Sequence, residues 1–284
     1  MRLPSDTGQG WRLDRYVAVK VPEYTRSTIE KFIDQGFITV NGNTVKTSYK
    51  ISLGDKVDIN PPEVTIAEID IPIIHEDDNV IVLNKPAGVL THSKGAFNEE
   101  GTVASFIAPK IDEELRTSGR GGIVHRLDRD TSGVIICAKN TATQTLLQKQ
   151  FADRKTKKIY IAIAEGLIED DVAILKWPIG RNPKKPQTFR VDANGKTAET
   201  EIEVIDRNEI SKLTLVKLMP KTGRTHQLRV HLTNWGFPIL GDRLYGKEED
   251  RLWLHAESLE ITIPTSDRRI FTAPLPETFT SKME

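Results

Sequence analysis

The alternation of apolar and polar positions first predicts structure at residue 12. Leu13, Tyr16 and Val17 recur at helical spacing and would share one face of a helix. Pro22 follows, and a proline ends a helix because it lacks the amide proton and clashes with the preceding turn. The first predicted element is therefore a short helix with one apolar face.

A second helix and a hairpin are predicted directly after it. Ser27 and Glu30 have the spacing of a capping box, and Gly36 is expected to end the helix. Residues 37–45 surround an Asn-Gly pair, which predicts a strand, a tight turn and a second strand. Residues 56–59 add another short strand.

These elements divide the chain into two predicted domains. Residues 12–60 would form a small domain of two helices and a hairpin sheet, whose core is too small for an enzyme on its own. Residues 1–11 are expected to be a tail. Residues 61–72 have prolines at both ends and little periodicity, which indicates a linker. The larger domain would then comprise residues 73–284.

The larger domain contains a polar cluster directly before an apolar run. Residues 134–138 are all apolar, and turn-forming residues precede them, which predicts a buried strand. Catalytic groups tend to lie on loops that a rigid element supports. Charge content alone would favour a surface turn with salt bridges. The cluster consists of His125, Arg126, Asp128, Arg129 and Asp130, with Thr131 at the entry to the strand.

The chemistry available to this cluster leaves two alternatives open. Asp128 could be a carboxylate nucleophile, or Asp128 and Asp130 could be the paired acids of a glycosidase. Asp130 is only two residues away on a loop and has no evident means of lying across a sugar from Asp128. We therefore favour one active carboxylate.

Residues 141–151 are expected to form a helix after the buried strand, with Asn140 or Thr141 as its cap, and Thr225 is expected to cap a later helix that runs to Asn234. Residues 94–120 are expected to be a partly mobile insertion near the substrate cleft.

The overall charge gives no support to nucleic-acid binding. The chain has 40 basic and 40 acidic residues, whereas phosphate binding usually leaves a basic surplus. Local patches would have to provide the positive charge. Four of the five residues 154–158 are basic, and Lys221, Arg224 and Arg229 lie in a stretch without acidic residues. Such runs are more often solvated surfaces, so they are supporting evidence only.

Composition also limits location and cofactors. No apolar run approaches the ~18 residues of a membrane span, and the N-terminus lacks the apolar core of a signal peptide. The single cysteine, Cys137, cannot form an internal disulfide. We expect a cytoplasmic protein without a membrane partner. His226 and His231 are separated by about 140° on a helix, so they cannot share a metal, and no metal or other cofactor is expected.

Several motifs of the larger domain resemble one enzyme family. Residues 125–133 read HRLDRDTSG, which resembles the signature loop of the RluA/RluD-type RNA pseudouridine synthases. The family's early lysine-proline turn has its counterpart at residues 85–88, although Ser93 replaces the proline usual after His92. Lys158 and Tyr160 match its second motif, and residues 220–236 match its third. The resemblance extends from Arg12 to about Phe279.

The small domain resembles an RNA-binding domain named after a protein of the small ribosomal subunit. The resemblance rests on residues 12–15, 25–27, 35–36, 40–42 and 54–55, in the family's order. It implies that the start of the second helix and the hairpin contact RNA. The candidate residues are Arg26, Ser27 and Lys31.

The two resemblances together imply a fold and a reaction. The fold would be α+β, with a small RNA-binding domain before a catalytic domain built on a mixed, mainly antiparallel sheet. The reaction would isomerise uridine in RNA to pseudouridine without a cofactor. We expect the substrate to be large-subunit ribosomal RNA. The alternatives are the same reaction on transfer RNA, or a non-catalytic protein that binds RNA or assists ribosome assembly. The protein is expected to be a monomer.

The resemblance also assigns roles to residues. Asp128 would attack the sugar or remove a proton from it, and Tyr160 would stack on the uracil. Arg224 is the preferred ion-pair partner of Asp128, with Arg229 as the second choice, because a nearby guanidinium favours a charged carboxylate. Arg126 would occupy the space that the flipped base leaves. The remaining substrate-binding candidates are His125, Arg129, Thr131 and Leu228.

Overall fold

The computed structural model describes residues 1–4, 8–22, 24–62, 66–93, 99–117, 121–264 and 268–284. The chain divides into two compact units. One unit comprises Met1–Ala67 with Ser93–Glu100, and the other comprises Glu68–His92 with Gly101–Glu284. The predicted linker, residues 61–72, contains the first point of division, and its residues 63–65 lie outside the described residues.

The first unit contains two helices and a small antiparallel sheet, as predicted. Its elements are β1 (Arg2–Pro4), α1 (Leu13–Lys20), α2 (Arg26–Asp34), β2 (Ile38–Val40) and β3 (Lys56–Ile59). The strands are in the order β1-β3-β2. Leu13, Val17, Ile29, Phe32 and Ile33 are buried, so the apolar faces of both helices form one core with the sheet.

Three predicted details of this unit are wrong. The expected tail forms β1, because Arg2, Leu3 and Pro4 pair with β3. The Asn-Gly turn at residues 41–42 is present and Val40 bridges to Asn43 across it, but within the described residues no second strand directly follows the turn, and the ladder of β2 is made with β3. Thr25, not Ser27, caps α2, and its hydroxyl accepts a hydrogen bond from the amide of Thr28 at 3.3 Å.

A buried carboxylate joins the two helices. Asp14 is fully buried and accepts hydrogen bonds from the guanidinium groups of Arg12 and Arg26. The amide of Arg15 donates to it as well. These bonds, that from Arg12 first, lower the pKa of Asp14 to about 2 against the opposing effect of burial. Arg26, a predicted RNA contact, is therefore partly used within the protein.

The second unit is built around one large sheet. Its helices are α3 (Val103–Ile107), α4 (Glu113–Thr117), α5 (Thr141–Ala152), α6 (Gln227–Trp235) and α7 (Glu277–Met283), with a 3₁₀ turn at Ala108–Lys110. Its strands are β4 (Ile73–Glu76), β5 (Val80–Lys85), β6 (Ser132–Ala138), β7 (Lys157–Glu165), β8 (Val172–Leu175), β9 (Ile179–Arg181), β10 (Phe189–Val191), β11 (Thr200–Asn208), β12 (Leu213–Pro220), β13 (Leu254–Thr262) and β14 (Arg268–Thr272).

The large sheet is mixed and mainly antiparallel, as predicted. Within the described residues it has nine strands, in the order β4-β5-β6-β13-β7-β12-β11-β8, with β14 beside β13. Its only parallel pair there is β6 with β13, and this ladder is short, joining Ser132 to His255 and Gly133 to Ala256. Gly133 has a φ of +113°, and a Cβ at this position would collide with the carbonyl of Ala256. A glycine is therefore required where the two parts of the sheet meet.

The predicted buried strand and the helix after it are confirmed. Every residue of β6 is buried, which explains the uninterrupted apolar run. Asn140 caps α5, and its side chain accepts from the amide of Thr143 at 2.9 Å. Of the predicted insertion at residues 94–120, residues 94–98 and 118–120 lie outside the described residues. No helix in the described part of the chain could cross a membrane.

Candidate active site

The polar cluster forms a tight turn at the entry to β6. The amide of Thr131 donates to the carbonyl of Asp128 at 3.2 Å, which closes the turn over residues 128–131. The hydroxyl of Thr91 is bonded to both backbone groups of Leu127, donating to the carbonyl at 2.9 Å and accepting from the amide at 3.2 Å. The backbone on both sides of the Asp128 side chain is thus fixed.

The buried side chain of Lys85 also fixes the turn over residues 128–131. The ammonium group of Lys85 donates to the carbonyls of Pro86, Val89 and Arg129, each at 2.9 Å. Three acceptors match the three N–H groups of an ammonium ion. Burial lowers the pKa of Lys85 to about 7, although the charges of Asp130 and Asp128 oppose this shift. Lys85 therefore joins the lysine-proline turn to the turn that carries Asp128.

The carboxylate of Asp128 faces an arginine of α6. Nη1 of Arg229 lies 3.4 Å from Oδ2 of Asp128. Arg229 is itself bonded at two points to Asp242, Nε to Oδ2 at 2.7 Å and Nη2 to Oδ1 at 2.6 Å. Burial would lower the pKa of Arg229, but its bonds to Asp242 and the charge of that carboxylate outweigh burial and raise it. Asp242 thus orients a permanently charged guanidinium towards Asp128.

The preference for Arg224 as the partner of Asp128 is therefore wrong. Arg224 donates instead to the carbonyl of Thr197 at 3.0 Å. The predicted cap is also wrong, since α6 begins at Gln227 and the side chain of Thr225 does not cap it. Arg224 lies on the loop before the helix, whereas Arg229 is in its first turn and reaches Asp128.

One cavity, of about 130 Å³, contains most of the predicted site. Its lining includes the predicted residues Arg126, Asp128, Thr131, Tyr160, Arg224, Leu228 and Arg229. Tyr160 lies in β7, opposite the turn that carries Asp128. Burial, and secondarily the charge of Asp128, raise the pKa of Tyr160, so the phenol keeps its proton at neutral pH. Tyr160 therefore offers a ring face and a hydrogen-bond donor rather than a base.

A second cavity, of about 390 Å³, shares part of this lining and is strongly basic. Its cations are Arg126, Arg154, Lys158, Lys221 and Arg224, and none of its described lining residues is acidic. Burial lowers the pKa of Lys158 to about 8, a shift that a bound anion would reverse. The two basic stretches of the sequence thus meet beside the Asp128 cavity.

Five predicted substrate contacts, two of them in the same unit as Asp128, do not line the Asp128 cavity. His125 lines the basic cavity, but its Nε2 accepts the amide of Ile136 at 3.0 Å and its ring stacks on Phe151 at 4.5 Å. Burial lowers the pKa of His125 to about 3, so the ring is neutral. Arg129 contributes its carbonyl to Lys85. Arg26, Ser27 and Lys31 belong to the other unit.

Sequence reasoning missed three residues of this site. Lys85 was noted only as part of the lysine-proline turn, His226 only as a rejected metal ligand, and Asp242 was given no role. Lys85 had a usable signal, because a lysine at the end of an apolar strand must find acceptors if it is buried. Asp242 and His226 had none, since only the tertiary fold brings Asp242 to Arg229 and His226 to Asp128.

Comparison with known proteins decides the family. The family described as RNA pseudouridylate synthase matches residues 79–234, which include Asp128, Tyr160 and Arg229. The chain belongs to this family. The S4 domain matches residues 11–57, within the first unit. The enzyme is thus an RNA pseudouridine synthase with an N-terminal RNA-binding domain, as the motifs predicted.

Individual relatives agree with this result. An uncharacterized RNA pseudouridine synthase of Aquifex aeolicus is 39% identical over 84% of this chain and 78% of its own length. The ribosomal large subunit pseudouridine synthase D of Borreliella burgdorferi is 38% identical over 94% of this chain and 87% of its own. Among solved structures, human RNA pseudouridylate synthase domain containing 1 has a TM-score of 0.61 and 27% identity, covering 77% of this chain and 87% of its own.

Proposed function

We propose that this enzyme isomerises a uridine of large-subunit ribosomal RNA and that Asp128 is its reactive carboxylate. The main support is the contact between Asp128 and the buried Arg229 in a cavity that Tyr160 also lines. A relative whose name specifies the large ribosomal subunit supports this class of RNA. The alternative is that the same reaction takes place on transfer RNA.

The proposed reaction requires no external reactant. The bond between N1 of uracil and C1′ of ribose breaks, the uracil turns, and a bond forms between C5 and C1′. C5 loses a proton and N1 gains one, so the atoms balance. Asp128 either forms a transient ester with C1′ or removes a proton from the ribose, and both roles need a charged carboxylate. The adjacent guanidinium of Arg229 favours that charged form.

The surrounding residues would hold the flipped nucleotide. Tyr160 would stack on the uracil, and Leu228 would contact it from α6. Arg126 is exposed at the junction of the two cavities, which suits a side chain that replaces the base in the RNA stack. Unstacking a base costs a few kcal/mol, and the cations of the basic cavity could offset this cost by binding phosphates.

The S4 domain would supply a second RNA contact. Ser27 and Lys31 are exposed in α2, and the side chain of Arg26 is half exposed despite its bonds to Asp14. A double Lys31→Ala and Arg26→Ala variant should weaken RNA binding and flatten its dependence on salt, because fewer counterions are released. Its rate at saturating RNA should be unchanged.

The test compares three proteins on the same RNA. Pseudouridine is located by carbodiimide primer extension on ribosomal and transfer RNA from cells with wild type, Asp128→Asn or Asp130→Asn. We expect one stop on large-subunit ribosomal RNA to disappear with Asp128→Asn and to persist with Asp130→Asn. Loss with both variants would favour the paired-carboxylate mechanism. A stop lost from transfer RNA would overturn the substrate, and no lost stop, with purified protein also inactive, would overturn the role of Asp128.

A further inference from the structure

His226 lies beside Asp128 in an uncommon backbone conformation. It directly precedes α6 and has a φ of +56° and a ψ of +21°, in the left-handed region. A non-glycine residue there costs on the order of 1–3 kcal/mol, so other contacts must hold it. Its ring makes edge contacts with Phe189 and Tyr245, each with centroids 5.6 Å apart.

The hydrogen bonds of Tyr245 determine which ring nitrogen carries the proton. The amide of Phe189 must donate in its 2.8 Å contact with the hydroxyl oxygen of Tyr245. Within the described residues the only other partner of this hydroxyl is Nδ1 of His226, 2.7 Å away, so the phenol directs its own proton there. Nδ1 is therefore an acceptor, and in a neutral imidazole the proton must be on Nε2.

Nε2 points towards the reactive carboxylate. It lies 3.8 Å from Oδ2 of Asp128, the same oxygen that Nη1 of Arg229 approaches at 3.4 Å. Within the described part of the chain, no protein group donates to Oδ1 of Asp128. One carboxylate oxygen thus faces two donors, and the other is left for the substrate.

We propose that His226 is a positioning residue that, together with Arg229, holds Oδ2 of Asp128 so that Oδ1 reacts with the ribose. This inference rests on the proposed role of Asp128. The 3.8 Å separation shortens to a hydrogen bond when the substrate excludes water from the cavity. Tyr245 acts one step further away, by keeping the His226 proton on Nε2.

The charges around His226 are consistent with a neutral ring. Burial is the main influence and lowers the pKa of His226, and the cations Arg229 and Arg126 lower it further. Asp128 and Asp242 oppose them. A neutral ring with a fixed tautomer can serve as a donor over the whole neutral range.

Two substitutions separate this role from a purely structural one. His226→Asn keeps a polar group near Nδ1 that can accept from Tyr245, tolerates a positive φ, and removes the donor to Asp128. His226→Gln loses the group near Nδ1 but places an amide donor near the former Nε2. We expect His226→Asn to lower the single-turnover rate by about 10- to 100-fold, the range for removing a group that orients a catalytic one. His226→Gln should restore most of this loss.

The rate is measured as tritium released from RNA with tritium at C5 of uridine, and RNA affinity is measured separately. His231→Asn is the matched control, because His231 is buried in the same helix with bonds to Thr200 and the carbonyl of Trp177. It should lower the melting temperature without changing the rate. A wild-type rate for His226→Asn, a change in affinity alone, or a slower reaction with Gln than with Asn would overturn the proposal.

The tautomer has a direct spectroscopic test. Long-range ¹H–¹⁵N correlation spectra should show Nε2 of His226 protonated in the wild type and a mixture of tautomers in Tyr245→Phe. A proton on Nδ1 in the wild type would refute the inference. If wild type is active and Asp128→Asn is not, the result for His226 decides only this inference. If Asp128→Asn remains active, the proposed function fails first.

Discussion

We expect the buried ion pair between Asp242 and Arg229 to make a large contribution to the free energy of unfolding. Both side chains are buried, with 0% and 4% of their surface exposed, and two short bonds join them. Asp242→Asn removes the charge but keeps one acceptor oxygen. Arg229 would then remain buried with only the more distant Asp128 as a counter-charge.

The expected cost follows from this geometry. Removing one partner of a buried ion pair costs about 3–5 kcal/mol. The amide oxygen that remains after the substitution can still accept one hydrogen bond from Arg229, so we expect the lower end of this range, about 3 kcal/mol. At roughly 2–4 °C per kcal/mol for a domain of this size, the melting temperature should fall by about 10 °C. The rate should also fall, because one hydrogen bond in place of two would no longer fix the orientation of the Arg229 guanidinium towards Asp128.

The assay is thermal unfolding by circular dichroism at low salt and at about 1 M salt, with Glu203→Gln as control. Glu203 pairs with Lys217 at 2.9 Å on the exposed face of the sheet, where an ion pair contributes at most about 1 kcal/mol. Salt should weaken the effect of Glu203→Gln but not that of Asp242→Asn. A shift no larger than that of the control, or one that disappears in salt, would refute the reasoning.

Two further substitutions test other parts of the structure. Asp14→Asn should lower the unfolding free energy of the S4 domain by roughly 2 kcal/mol at about pH 6, since the pKa of Asp14 falls from 3.8 to about 2 on folding. A lowered pKa stabilises the folded state at pH values above the pKa of the unfolded chain. The difference in unfolding free energy between wild type and Asp14→Asn, followed by methyl NMR of Ile29 during denaturation, should therefore shrink between about pH 4 and pH 2. A difference that stays constant over this range would contradict the prediction. Gly133→Ala should prevent folding of the larger unit, because the added Cβ collides with a carbonyl, whereas Gly54→Ala, also at positive φ but in open space, should cost only about 1–2 kcal/mol. Equal losses of unfolding free energy for Gly133→Ala and Gly54→Ala, measured by urea unfolding, would show that the structure relieves the collision at Gly133.

Elements with a local cause could be predicted from the sequence. The helix after β6 was predicted with Asn140 or Thr141 as its cap, and the structure shows that the side chain of Asn140 caps it through the amide of Thr143, three residues away. The buried strand was visible because a strand covered on both faces is continuously apolar. The family motifs then supplied the mixed sheet and the set of residues around the cavity.

Features that depend on distant contacts could not be predicted. The prediction that residues 1–11 form a tail was wrong because the strand there pairs with a distant one, Arg2 with Asp58, across most of the first unit. Arg224 was preferred over Arg229 as the cation of the turn before the helix, and only the tertiary fold shows that Arg224 is bonded to the carbonyl of Thr197 while Arg229 reaches Asp128.

The short parallel ladder between β6 and β13 affects the stage of synthesis at which the enzyme can become active. Strands β4, β5 and β6 form a contiguous antiparallel ladder from residues 73–138, so this part can pair as soon as it leaves the ribosome. The charges that complete the site come much later, since Arg229 is 101 residues beyond Asp128 and Asp242 a further 13. If Asp128 is the reactive carboxylate, as proposed, a nascent chain can carry it on a finished turn before Arg229 and Asp242 have been made. We expect activity to begin only after β13 has joined the two parts of the sheet.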